Sequence, residues 1–214
     1  MSLANLAPAV KEWRYNERTM SHPAEKRRDT YQNVLHAPEN MIAEVIDGEL
    51  HLMPRPKRRH LRTASGLGAF LFGAFDAGVG GPGGWTIIDE PELHLGPAPD
   101  ILVPDLCGWR AGRLLDDGET DDPFITVVPD WVCEILSPDT LRIDRMKKMP
   151  IYARERVPHV WLVDPREKTV EVFRMAESTY MLVGTFGDDD ALLAEPFDAL
   201  AIPPTFLWAR KVPA

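Results

Sequence analysis

The chain has 214 residues and a formal charge of −9, with 44% hydrophobic and 27% charged residues. That length suits one well-buried domain better than two, and the composition excludes a disordered or fibrous chain. No run approaches the roughly 20 apolar residues of a membrane span, and Met1–Val10 lacks the basic start and cleavage site of a secretory leader.

These absences and the lack of a cysteine framework make a cytoplasmic, reducing environment the expectation, with Cys107 and Cys133 read as two buried thiols that could touch only if their strands are neighbours. Residues 1–40 are polar and weakly periodic. They predict an N-terminal arm with a short exposed helix near Glu25–Asp29, and residues 41–214 are read as one domain. From Ala43 to Met53, two alternating runs flank Asp47-Gly48, a dipeptide suited to tight type I′ turns, and predict a hairpin stopped by Pro54 and Pro56. Leu61, Ala64, Leu67, Leu71 and Ala74 recur at helical spacing and predict an amphipathic helix from His60 to about Ala77, weakened by three glycines. Gly78–Gly84 lacks the Gly-Lys-Ser/Thr step of a phosphate loop and leads into a strand-like run, so it reads as a plain connection.

Strands are predicted over Trp85–Leu95, Asp100–Trp109 and Pro129–Leu136. Asp139–Arg156 predicts a helix capped by Ser137 or Asp139 and kinked or broken at Pro150. His159–Asp164 predicts a buried strand whose hairpin partner is Lys168–Phe173. Tyr180–Ala201 reads as one or two edge strands around an acidic turn, and Pro203–Trp208 as a short helix started by proline. The tryptophans in strand signals read as core. The result is a mixed α/β domain.

Two carboxylates stand where the strand signals are strongest: Asp105 in Ile101-Leu102-Val103-Pro104-Asp105, and Glu134 in Trp131-Val132-Cys133-Glu134-Ile135. An ionised carboxylate in an apolar strand costs several kcal/mol unless something pairs with it, and a divalent cation is one such partner. Asp100 carries the same Pro-Asp dipeptide but precedes the apolar run, so Asp105 is preferred. On the helix after Glu134, Lys148 is four residues from both Asp144 and Tyr152, which places all three on one face. A lysine there can position a water for attack on a phosphodiester. A structural pairing of Glu134 with Arg142, and Asp144 orienting Lys148 or Arg145, are the plainer readings. No His/Cys set has zinc spacing.

These segments resemble the Uma2-type, DUF820 proteins of the PD-(D/E)xK nuclease superfamily. The resemblance runs from about Ile42 to Phe173. It is carried by Glu44-Val45-Ile46-Asp47-Gly48-Glu49-Leu50 with His60, by Val103-Pro104-Asp105-Leu106, and by Cys133-Glu134-Ile135-Leu136-Ser137-Pro138-Asp139-Thr140 with Asp144, Lys148 and Tyr152. Val157-Pro158-His159-Val160-Trp161-Leu162-Val163-Asp164-Pro165 completes it. It implies a restriction-endonuclease-like core, a central mixed β-sheet flanked by helices. It also implies Asp105 and Glu134 as catalytic cation ligands, Glu44 as a further acid, and Mg²⁺ or Mn²⁺ as cofactor. The superfamily lysine expected two residues after Glu134 is replaced by Leu136; Lys148 fits the displaced position, with Lys147 as its rival.

The implied activity is a metal-dependent DNA endonuclease, with a homodimer by analogy; His60, Arg59 and Lys147, in or beside basic runs, are read as substrate contacts. The net negative charge opposes nucleic-acid binding at long range, but bases gather at Lys57–Arg62 and Arg142–Lys148. A catalytically silent nuclease fold serving as a nucleic-acid-binding or assembly module stays open, as does hydrolysis of another phosphodiester.

Overall fold

In a computed structural model of the protein, residues 29–114 and 122–208 are described. Apart from Asp29, the helix expected at Glu25–Asp29 lies outside them, as does most of the acidic run Asp116–Asp122. The first helix is α1 (Tyr31–Leu35), followed by β1 (Met41–Ile46) and β2 (Glu49–Pro54), which form the expected hairpin. Asp47 and Gly48 take φ of 52° and 75°, the paired left-handed conformation of a type I′ turn, where a residue without Cβ costs least.

Helix α2 (Arg58–Leu71) continues through a π-helical turn at Phe72–Asp76 and buries Leu67, Leu71 and Phe75. Gly66 serves close packing here: a Cβ would lie 1.9 Å from the Phe206 carbonyl oxygen.

Two stretches expected as single strands are each divided. Trp85–Leu95 becomes β3 (Trp85–Asp89) and β4 (Leu93–Leu95), and Asp100–Trp109 becomes β5 (Asp100–Leu102) and β6 (Leu106–Arg110). The breaks fall at Pro91 and Pro104, which have no N–H to give a ladder. The halves then join different sheets. Among the described residues, one is an antiparallel four-stranded sheet in the order β2-β1-β5-β4. The other has six strands in the order β10-β9-β8-β7-β6-β3, with β7 (Trp131–Ile135), β8 (His159–Asp164), β9 (Thr169–Ala176) and β10 (Thr179–Phe186). The larger sheet is mixed: β7 and β8 run parallel, joined by a helical crossover, and its other pairs are antiparallel.

Both faces of this sheet are covered, so its central strands are apolar almost throughout. Trp131, Cys133, Ile135, Trp161 and Val163 face α2 and the C-terminal segment. Phe197 sits among Trp85, Trp131 and Trp161, with ring centroids 4.7, 4.9 and 5.6 Å away, which accounts for those tryptophans as core. Val132, Val160 and Leu162 face the other way, with Cys107, Ile151 and Tyr152. Cys107 and Cys133 thus lie in opposite faces, both buried and free, although β6 and β7 are neighbours. The C-terminal helix α5 (Pro204–Leu207) packs on α2, where Thr63 Oγ1 donates to the Leu207 carbonyl at 2.7 Å. No helix among the described residues is long and apolar enough to cross a membrane.

Candidate active site

The site forms where the two sheets meet the crossover helix. Alternation along β7 sends Trp131, Cys133 and Ile135 to one face, so Glu134 emerges on the other, beneath the helix that follows. That helix is α3 (Leu141–Ile143), a π-helical turn (Asp144–Lys148) and α4 (Met149–Arg154) in succession. The Ser137 hydroxyl accepts the Thr140 N–H at 3.2 Å at its start. Pro150 does not break it. The Met149 N–H reaches back five residues to the Asp144 carbonyl, and this wider turn relieves the clash a proline makes with an ordinary α-turn before it.

The wide turn presents Asp144 and Lys148 inward. Lys148 Nζ lies 2.8 Å from Glu44 Oε1, 3.3 Å from Glu134 Oε1 and 3.6 Å from Asp144 Oδ1, and all four side chains are almost wholly buried. Glu44 comes from the middle of β1, where its Oε1 also accepts the Val103 N–H at 2.7 Å. Tyr152 donates its hydroxyl to Glu134 Oε1 at 2.5 Å. Asp105 stands in the gap between β5 and β6; its Oδ2 accepts the Ile135 N–H at 2.6 Å and its Oδ1 meets His60 Nε2 at 2.5 Å.

Asp105, Glu134, Asp144 and Lys148 line one cavity of about 50 Å³, with Arg55, Lys57 and His60 at its side. That is room for an ion and a water or two. Glu44 does not line it and bears on it through Lys148.

Around Lys148, three carboxylates share one ammonium. Burial raises Glu44, Asp144 and, most strongly, Glu134 above the ordinary carboxylate range, while the ammonium pulls them back down. Burial would lower Lys148, but Glu134, Glu44 and Asp144 together hold it well above its ordinary value. If all are ionised, two negative charges remain unmatched, which is the charge of one divalent cation. The Glu44 Oε2 atom is buried with no hydrogen-bond partner among the described residues. The carboxylate oxygens that do line the cavity, from Asp105, Glu134 and Asp144, are of the donor type that suits Mg²⁺ or Mn²⁺. Among the described residues no group of three or more His, Cys, Asp or Glu side chains is arranged to hold a metal ion; Mg²⁺ characteristically takes one or two carboxylates with water and phosphate oxygens.

Of the residues singled out in the sequence, Asp105, Glu134 and Lys148 line the cavity together, whereas Glu44, expected as a further cation ligand, stands behind Lys148 and outside it. Lys147 does not: its Nζ points to His51 Nε2 at 3.1 Å and Glu49 Oε2 at 3.5 Å. Arg59 is exposed on the first turn of α2, beside His60. Arg142 is not the partner of Glu134, and Arg145 pairs with Glu171. Asp100 is structural: it caps the Asp47 N–H at 2.5 Å and pairs with Arg154. The sequence had not given Tyr152 its hydrogen bond to Glu134 or His60 its bond to Asp105. The Lys148–Tyr152 spacing pointed toward the first, while nothing local indicated the second.

No curated protein matches the chain. Among solved structures, it resembles one described as "a putative nuclease belonging to DUF820 from Anabaena variabilis ATCC 29413", with a TM-score of 0.67 and 24% identity over 83% of this chain and 96% of that one. That likeness establishes the fold. Residues 28–204 match the model of the Uma2 family, described as "Putative restriction endonuclease", and the chain belongs to that family.

Proposed function

We propose that the protein is a divalent-cation-dependent endonuclease that hydrolyses DNA phosphodiester bonds. The observation that carries this reading is the convergence of Asp105, Glu134 and Lys148 on one small cavity. Asp105 and Glu134 would hold the cation, which when bound supplies Lewis-acid neutralisation of phosphate charge. Lys148, kept protonated by its carboxylate neighbours, acts as a hydrogen-bond donor that positions the attacking water. Glu44 and Asp144 hold Lys148 in place. His60 fixes the Asp105 carboxylate, and Arg55, Lys57 and Arg59 offer cations for the flanking phosphates.

The test is Mg²⁺ or Mn²⁺ titration with supercoiled plasmid, wild type against Asp105→Ala. Metal-dependent nicking that disappears in the variant supports the reading, and equal residual nicking in both overturns it.

A second reading, a silent nuclease fold that binds nucleic acid, is favoured by one feature: both Asp105 oxygens are already engaged by the chain, by His60 and the Ile135 N–H. Binding without cleavage in Mg²⁺, with affinity unchanged in Glu134→Ala, would select it.

A further inference from the structure

Asp105 separates two hollows of different chemistry. On the side of Lys148 lies the small cavity, flanked by Arg55 and Lys57. On the other side, a groove of about 390 Å³ lies along α2 and β3, lined by Leu61, Gly68, Ala69, Phe72 and Leu106. That volume falls in the range of about 300–1,000 Å³ typical of small-molecule sites. Gly68 lets α2 approach Leu106 closely at the groove, since a Cβ there would lie 3.2 Å from the Leu106 side chain. Leu61 is 45% exposed and Phe72 53% exposed, so an aliphatic and an aromatic side chain stand uncovered beside the proposed reaction centre.

The charge of the groove decides its occupant. Apart from Asp105, its ionisable lining residues are Asp89 and Glu90, both exposed. Carboxylates repel a phosphate but accept hydrogen bonds from amino and ring N–H groups. Ser65 and Ala69 are shared with a further hollow of about 460 Å³ that holds Arg62, whose guanidinium hydrogen-bonds the Thr205 carbonyl at 3.3 Å. Around the exposed side of α2 the surface therefore passes from cations, past Asp105, across an apolar groove with acidic edges, to the Arg62 cation on the adjoining face. A single nucleotide strand has the matching sequence of phosphate, base and phosphate. A duplex has its bases stacked inside and offers the groove no free base face.

We infer that this groove takes an unpaired nucleobase beside the scissile phosphate, with Phe72 as its stacking ring, so that the substrate class is single-stranded DNA or an unpaired DNA segment. This rests on the nuclease reading. Because an exposed aromatic ring stacks on any base, the groove selects for an unpaired strand more than for a sequence.

The test is fluorescence anisotropy in Ca²⁺ with one labelled oligonucleotide, single-stranded or annealed to its complement. Wild type should bind the single strand more tightly. Phe72→Ala should weaken that binding by roughly tenfold while changing duplex binding by less than about twofold, and Phe72→Trp should restore it. Ala69→Glu, at an exposed position, should weaken single-strand binding independently. Equal affinity for both forms, unmoved by these substitutions, overturns the inference. Plasmid nicking read in parallel separates the two ideas. Nicking without single-strand preference removes the groove and leaves the nuclease, whereas Phe72-dependent single-strand binding with no cleavage in Mg²⁺ of either the plasmid or the labelled single strand keeps the groove and removes the nuclease.

Discussion

The Lys148 ammonium lies 2.8 Å from the Glu44 carboxylate, joining the crossover helix to the middle of a strand more than a hundred residues earlier, and both side chains are buried. Lys148 is thus a structural neutraliser of the carboxylate cluster as well as the candidate water-positioning group. Lys147, one residue away, faces His51 and is 38% exposed. Lys148→Ala should abolish nicking, with a loss of at least about a hundredfold, and destabilise the fold by about 3–5 kcal/mol, because removing one member of a buried ion pair strands the others. Lys147→Ala should change stability by about 0.5 kcal/mol or less and retain nicking within about tenfold. Urea unfolding with the plasmid assay reads both.

Tyr152→Phe removes only a hydroxyl, but it is the one that donates to Glu134 Oε1. Leaving that buried carboxylate short of a donor should cost about 1–3 kcal/mol of stability. Partners that orient metal ligands are commonly worth about 10–100-fold in metal affinity, so Mn²⁺ binding should weaken on that scale. Calorimetric titration of the folded variant checks the affinity, and unchanged Mn²⁺ binding would rule out an orienting role.

Stability should carry the signature of carboxyls raised by burial. Glu134, Glu44 and Asp144 hold protons in the folded state at pH values where the unfolded chain has lost them. Their contribution is fully present below the ordinary carboxylate range, near pH 4, and is lost as pH rises through the folded-state values. Lys148, raised above its ordinary value, keeps its contribution until strongly alkaline pH. Glu134→Gln should therefore gain stability relative to wild type between pH 5 and about pH 8 in cation-free buffer. Urea midpoints at the two pH values decide it; a constant difference would contradict the raised carboxyl.

Asp100 separates the two Pro-Asp dipeptides by function. It caps the Asp47 N–H and pairs with Arg154, and it does not line the cavity. Asp100→Ala should cost roughly 1.5–3 kcal/mol through those charge-assisted bonds, while folded protein nicks normally. Thermal melting and nicking below the lowered midpoint check this, and loss of nicking in folded protein would place Asp100 in the chemistry.

Short-range patterns in the sequence were faithful guides where the deciding interactions are themselves short-range. Asp47-Gly48 specified its turn because two left-handed residues in succession suit few side chains. The apolar run around Glu134 specified a buried strand, and the four-residue spacings of Asp144, Lys148 and Tyr152 put them on one helical face. The division of Trp85–Leu95 and Asp100–Trp109 was less legible. Continuous apolar runs look alike whether a strand stays in one sheet or passes to another, and only the prolines hinted at the breaks.

From the sequence alone came the two acidic positions and the lysine-bearing helix, carried by local periodicity, and the resemblance to the Uma2 family, carried by its motif residues. Only the tertiary structure decided between the neighbouring lysines: Lys148 meets Glu44 and Glu134 from two other elements, while Lys147 meets His51. It alone set Glu44 behind Lys148, and His60 and the Ile135 N–H on Asp105. Those contacts join elements far apart in the chain, and no local pattern encodes them: they follow from how two sheets and a helix pack around buried charge that must find partners.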